Sequence, residues 1–137
     1  MWRRSRAREV ALQVLYEDDM NPRHSMVASN DFVRRRLNRE ANLVDFANSL
    51  VAGVRLNRRY LDEELQRRTE NWSLKRMAVT DRNVLRIGAF EILFTETPER
   101  VVIDEAVDLA RRFGTHQSAH FVNGVLDCFL KKAQDTE

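Results

Sequence analysis

The side chains of this sequence that could do chemistry are few, and most of them are arginine. Arg3, Arg4, Arg6 and Arg8 stand at the N-terminus with no acid among them. Guanidinium is a planar fork that pairs with phosphate and stacks on bases, so this tip suits a localised polyanion contact. The other 19 basic side chains are set against 21 acidic ones, and the formal net charge is only +2. On a helix, Arg4, Arg8, Leu12 and Tyr16 form one strip, with Arg6, Gln13 and Glu17 on the opposite flank. Arginines beside an aromatic ring suit single-stranded RNA, with guanidinium on phosphate and the ring on a base. The same strip also reads as salt-bridged surface arginines around a half-buried tyrosine. Twenty of the 23 basic residues are Arg, an excess that codon bias in a GC-rich genome would also produce.

A second group lies near the C-terminus, in Phe121-Val122-Asn123-Gly124. Val122, Val125 and Leu126 set the buried stripe of that helix, which leaves Phe121 on its flank and turns Asn123 roughly the other way. Gly124 faces away from the core, where a backbone or ligand can approach closely. An Asn amide can read base edges or cap a backbone, and a flank Phe can pack as readily as stack. His116 and His120 have the i, i+4 spacing of a helical metal pair, but the sequence brings no further Cys or His near them. Asp104 and Glu105 are adjacent, point apart on a helix, and suit dipole and salt-bridge roles. There is no phosphate-binding glycine loop and no GxSxG, HExxH or CxxC. No catalytic constellation, cofactor or metal is therefore expected. Cys128, without a second cysteine, reads as an unreactive thiol in or near the core.

The elements that must position these residues are helices. Gly and Pro are scarce, at four and two copies, and no alternating strand pattern persists. Ala7, Val10, Ala11, Val14 and Leu15 make one buried face, and Asn21-Pro22 ends the first helix. A weaker segment spans 26–39; its Arg34-Arg35-Arg36 run reads as a solvated face with some capacity for anions. A third segment starts near Asn42 with Asp45 in its first turn, and carries Leu43, Ala47, Leu50, Val54, Leu61 and Leu65. Its length of some 25 residues allows a break near Gly53 or Asn57. The stretch 69–73 reads as the connection between two halves.

Thr80 is the expected cap of the next helix, with Asp81 at its positive end. Residues 84–94 are apolar nearly all round, apart from Arg86 and Glu91, as befits the buried centre of a bundle. Pro98 starts another helix, with Ile103, Ala106, Val107, Ala110 and Phe113 as its stripe and Gly114 at C′. In the last helix Val122, Val125, Leu126, Phe129 and Ala133 face inward. The reading is all-α: a compact bundle of about six or seven helices in two sub-bundles, one domain over 1–137. No run of about 18 apolar residues exists, so no membrane span is expected. The basic N-terminus lacks a signal-peptide pattern, and one cysteine fits a reducing cytoplasm.

Longer strings carry a resemblance. LRIGAFEIL, EAVDLAR-FG and FVNGVLD in the C-terminal half resemble the NusB family. So do Arg4, Arg6, Ala7, Arg8, Glu9, Ala11, Gln13, Leu15 and Tyr16 at the N-terminus. Leu50, Gly53, Val54, Tyr60, Leu61 and Asp62 extend the likeness through the middle. The resemblance implies an all-helical, non-enzymatic antitermination factor. It would bind boxA of nascent ribosomal RNA leader transcripts together with the ribosomal protein NusE, within the RNA polymerase antitermination complex. Its RNA-facing residues would be Arg4, Arg6, Arg8, Gln13, Tyr16, Gln117, Ser118, Phe121 and Asn123. Its NusE-facing surface would include Asp81, Arg82 and Arg86, with Glu91 holding that helix.

The chain departs from the family pattern in places. Ser5 interrupts the basic run, Gln117 stands where an acid is common, and 21–39 aligns with nothing. Two other classes compete with the adaptor. A similar helical domain precedes some ribosomal RNA cytosine methyltransferases, but no methyl-donor fold is expected after Glu137. A helical interaction module or homodimer without an RNA role would use the same exposed Phe121 and flank apolars.

Overall fold

Helical periodicity becomes helix almost everywhere. The computed structural model describes residues 2–69 and 73–135, with side chains over 3–69 and 73–130. Its helices are α1 (Trp2–Met20), α2 (Met26–Arg36), α3 (Ala41–Arg67), α4 (Val79–Phe94), α5 (Glu99–Phe113) and α6 (Ser118–Asp135), with a 3-10 turn at Leu74–Arg76 before α4. No strand occurs among the described residues. The chain divides into two compact units, Met1–Leu56 and Asn57–Glu137. The division falls inside α3, and not at the expected connection 69–73. That helix runs through Gly53 and Asn57 without interruption. Of the expected connection, residues 70–72 lie outside the described residues.

In the first unit, Ala7, Val10, Ala11, Val14 and Leu15 of α1 are all buried, as their spacing requires, and Leu12 joins them. Each such aliphatic side chain contributes roughly 1.5–3 kcal/mol on full burial. α1 ends at Met20, before Pro22. Ser25 caps α2, its Oγ accepting the Val27 and Ala28 amides at 3.1 and 3.2 Å. α2 stops at Arg36, because Asn38 and Arg39 take left-handed backbone angles, φ 53° and 57°, that helices do not continue. Asp18 ties the end of α1 to α3, accepting two hydrogen bonds from Arg55 at 2.8 Å and one from His24. Burial alone would push the Asp18 carboxyl up; the Arg55 and His24 hydrogen bonds outweigh it and hold the group below its usual 3.8. The Arg55 guanidinium is raised above its ordinary value, first by the Asp18 hydrogen bond.

In the second unit, α4, α5 and α6 pack on one another. Val84, Leu85, Ile87 and Ala89 of α4 are buried, while its C-terminal Leu93 and Phe94 are exposed. Helix α4 opens at Val79 behind Ala78, which offers no side-chain cap; Thr80 lies inside the first turn beside Asp81 and is not the cap. A Cβ on Gly88 would lie 2.7 Å from Leu126 Cδ1, so glycine is what lets α4 approach α6 so closely. Helix α5 buries Val102, Ile103, Ala106, Leu109 and Ala110, whereas Phe113 at the end of the expected stripe is 41% exposed. In α6, Val122, Val125, Leu126 and Phe129 are buried as expected; the Ala133 side chain lies outside the described residues.

Candidate nucleic-acid interface

Two stretches carry the residues of interest, one in each unit. On α1, Arg4 is exposed and its guanidinium lies over the Phe46 ring, 4.4 Å from the centroid. Arg8 lies 5.0 Å from the same centroid but is only 2% exposed. A cation held over an aromatic face is stabilised by about 0.5–1 kcal/mol when exposed and about 2 when desolvated. Arg8 therefore belongs to the body of this unit and does not stand on its surface as the strip predicted. Arg6 is half-buried and donates to Glu9 at 3.3 Å. Tyr16 is 41% exposed, while Leu12 between the arginines and the ring is buried. The accessible guanidinium and ring groups of this part of α1 thus reduce to Arg4, Arg6 and Tyr16, with Arg3 paired to Glu40 beside them. Gln13 lies on the other flank, half-buried, and its amide oxygen is buried without a hydrogen-bond partner.

In the second unit a cavity of about 700 Å³ opens where α5 turns into α6. Asp81, His116, Gln117, Ser118, His120 and Phe121 are among its lining. Gly114 makes this turn: a Cβ there would lie 2.8 Å from the Ala110 carbonyl oxygen and press on the Ser118 side chain. Its φ of −99° is ordinary, so lack of bulk, and not a left-handed C′ conformation, is what the site needs. Ser118 is 2% exposed, and its Oγ accepts the Thr115 amide at 2.9 Å. It shapes the loop instead of facing outward. Gln117 and Asn123 are exposed and Phe121 is half-buried. Open space surrounds the Gly124 Cβ position. His116 and His120 are exposed on the cavity, and no cluster of three metal-capable side chains occurs among the described residues.

The four residues assigned to a protein partner separate by burial. Asp81 is half-buried at the start of α4, with one carboxylate oxygen buried and unpartnered. Arg82 is half-buried and donates to the Leu74 carbonyl at 3.2 Å, holding the 3-10 turn against α4. Arg86 is 3% exposed. It makes a two-pronged pair with Asp62, Nε and Nη2 donating at 2.8 and 2.9 Å, and also donates to Asn83 Oδ1 at 3.1 Å. Glu91 is 1% exposed. Arg86 and Glu91 are interior groups, and of the four only Asp81 and Arg82 are partly exposed. Sequence reading did not single out Phe46 and named Asp62 without its partner Arg86, because each acts across a gap of two dozen residues or more with no local motif.

The fold and these surfaces define an all-helical protein with an arginine-aromatic face on its first helix and an aromatic-amide cavity at its last. Among the described residues no helix is long and apolar enough to cross a membrane. The model of the NusB family matches residues 5–131. A transcription antitermination protein NusB from Anaeromyxobacter dehalogenans is 46% identical over 125 residues, covering 91% of this chain and 88% of that protein. The structure of Thermotoga maritima NusB superposes with a TM-score of 0.83 at 33% identity, covering 93% of this chain and 90% of that one. A chain from a complex of antitermination factors NusB and NusE with double-stranded RNA gives 0.86 at 26% identity, covering 96% and 98%. The chain belongs to the NusB family of transcription antitermination proteins.

Proposed function

We propose that this chain is a non-catalytic adaptor of transcription antitermination that acts in the cytoplasm, binding boxA of nascent ribosomal RNA leaders together with NusE and promoting read-through by RNA polymerase. The observation that carries the reading is the likeness, over nearly the whole chain, to a member of a NusB–NusE complex with RNA. Exposed Arg4 and Tyr16 with half-buried Arg6 suit phosphates and one stacked base. Phe121 and Gln117, in the lining of the cavity of the second unit, suit unstacked bases, and exposed Asn123 offers a further amide beside them in the chain. Arg8 and Ser118 act behind these groups as positioning residues. Asp81 and Arg82 supply the accessible part of the NusE face, and Arg86 and Glu91 keep α4 in place beneath it.

Anisotropy of labelled boxA RNA against a scrambled RNA, with and without NusE and over a salt series, tests this. Tighter boxA binding with NusE, weakening as salt rises, is the expected result. Equal affinity for both RNAs with no effect of NusE would overturn it. One observation favours a second reading in which copies of the chain self-associate. Tyr60 and Phe94 are exposed and meet edge to face at 5.9 Å, with Phe90 stacked on Phe94 at 5.5 Å. Sedimentation velocity of the chain alone separates that reading from a monomeric adaptor.

A further inference from the structure

Within the first unit, α1 and α2 enclose a cavity of about 520 Å³ that the proposed boxA face does not use. The volume lies in the range of small-molecule sites, roughly 300–1,000 Å³. Three kinds of group meet in its wall. Arg35 and Arg36 bring two guanidinium groups, both on exposed residues. Phe32 brings a half-buried ring with Arg36 held over it at 5.6 Å from the centroid. Gln13 brings an amide whose oxygen is buried and lacks a donor. Buried polar atoms are almost always satisfied, so this acceptor at the cavity wall takes its donor from ordered water or from a ligand group that replaces that water.

We infer that this cavity holds one nucleotide of single-stranded RNA flanking the element bound by α1, and so extends the RNA surface from α1 onto α2. The inference rests on the RNA-binding reading above. Arg35 and Arg36 take the phosphate, Phe32 offers its face to the base, and the Gln13 oxygen accepts from an amino or imino group on the base edge. Glu17 also lines the cavity; its carboxylate repels phosphate, which orients the backbone toward α2 and the base toward α1. His24 lines it too but is committed to Asp18. Arg35 donates to Asp31 at 3.2 Å, with both side chains more than half exposed. Such a screened surface pair is weak, so a phosphate can displace it. The Arg34-Arg35-Arg36 run, read from sequence as a solvated face, thereby gains a ligand.

Labelled boxA RNA is titrated with the full chain and NusE, alone and carrying five added uridines at its 5′ or its 3′ end. The variants are the double change Arg35→Gln with Arg36→Gln, and separately Phe32→Leu, each checked for an unchanged thermal midpoint. One extension is expected to tighten wild-type binding about tenfold, near the low end for a single stacked base. Both variants should lose most of that gain while binding unextended boxA as wild type does. The double variant should also lower the salt slope by about 0.7 on the extended RNA, the value of the one phosphate contact that Arg35 and Arg36 share. The inference is overturned if neither extension helps, or if the variants keep the full gain. Failure of wild type to bind unextended boxA would sink the RNA-binding reading itself, and the inference with it.

Discussion

Arg8 and Arg86 sit in different units and share a fate that Arg4 does not. Arg86 is buried and spends its fork on Asp62 and Asn83. Arg8 is buried over Phe46. Arg4 lies over the same ring yet remains exposed. One residue type thus takes two environments, and local sequence does not separate them. An interior guanidinium stabilises the unit only while its partner is present, whereas an exposed one is available to phosphate at little structural cost.

The comparison breaks first at the interior pair. Asp62→Ala leaves the Arg86 charge buried without its carboxylate, and a cost of about 3–5 kcal/mol in unfolding free energy is expected by urea denaturation. A loss under about 1 kcal/mol would mean that Arg86 is not held by this pair. The next effect is on binding. Phe121→Ala should weaken boxA binding by about 1–3 kcal/mol, the value of one stacked base, with a smaller change against scrambled RNA. An equal loss on both RNAs in parallel anisotropy titrations would assign Phe121 to packing.

The two arginines over Phe46 sharpen the contrast. Arg8→Ala should lower stability by about 2 kcal/mol through the lost desolvated ring contact. Arg4→Ala should cost at most about 0.5–1 kcal/mol, the worth of an exposed ring contact, while its RNA salt slope falls by about 0.7. Thermal melts paired with salt titrations check both, and the opposite pattern would reverse their roles. The smallest effect is on acid stability. The folded Asp18 carboxyl titrates below its usual 3.8, so its contribution is present above that value and lost as pH falls from there through the folded pKa. Urea midpoints measured across pH 5 to about 2 should fall more steeply for wild type than for Asp18→Asn. Parallel curves would show that the Arg55 and His24 contacts do not couple to folding.

The helices were legible because burial follows period. The stripes of α1 and α6 match the buried residues where side chains are described, and in α4 the stretch Asn83–Ala89 is buried on every side. Errors came where a local signal competed with tertiary context. Thr80 is a good capping residue, yet α4 begins at Val79 behind Ala78, two residues before a Thr80 cap would start it, because a helix start is set by the turn packed before it as well as by propensity. Phe113 fits the α5 stripe but lies at the helix end, where the chain leaves the core. Of the candidate site, the strip Arg4-Arg8-Leu12-Tyr16 was correct as geometry and mistaken as a surface, since helical spacing says which residues align and not how far a neighbour covers them.

Sequence by itself determined the all-helical class, the helix order, the arginine-rich start and, through its long ordered strings, membership of the NusB family. These depend on composition, on a period of 3.6 residues and on strings read in one dimension. Only the tertiary structure decided that Arg8, Arg86, Glu91 and Ser118 are interior. It alone brought Asp81 to one cavity with Gln117 and Phe121, and formed a second between α1 and α2. Burial and partnership are properties of residues distant in the chain: Phe46 reaches Arg8 and Asp62 reaches Arg86 only once the helices have packed.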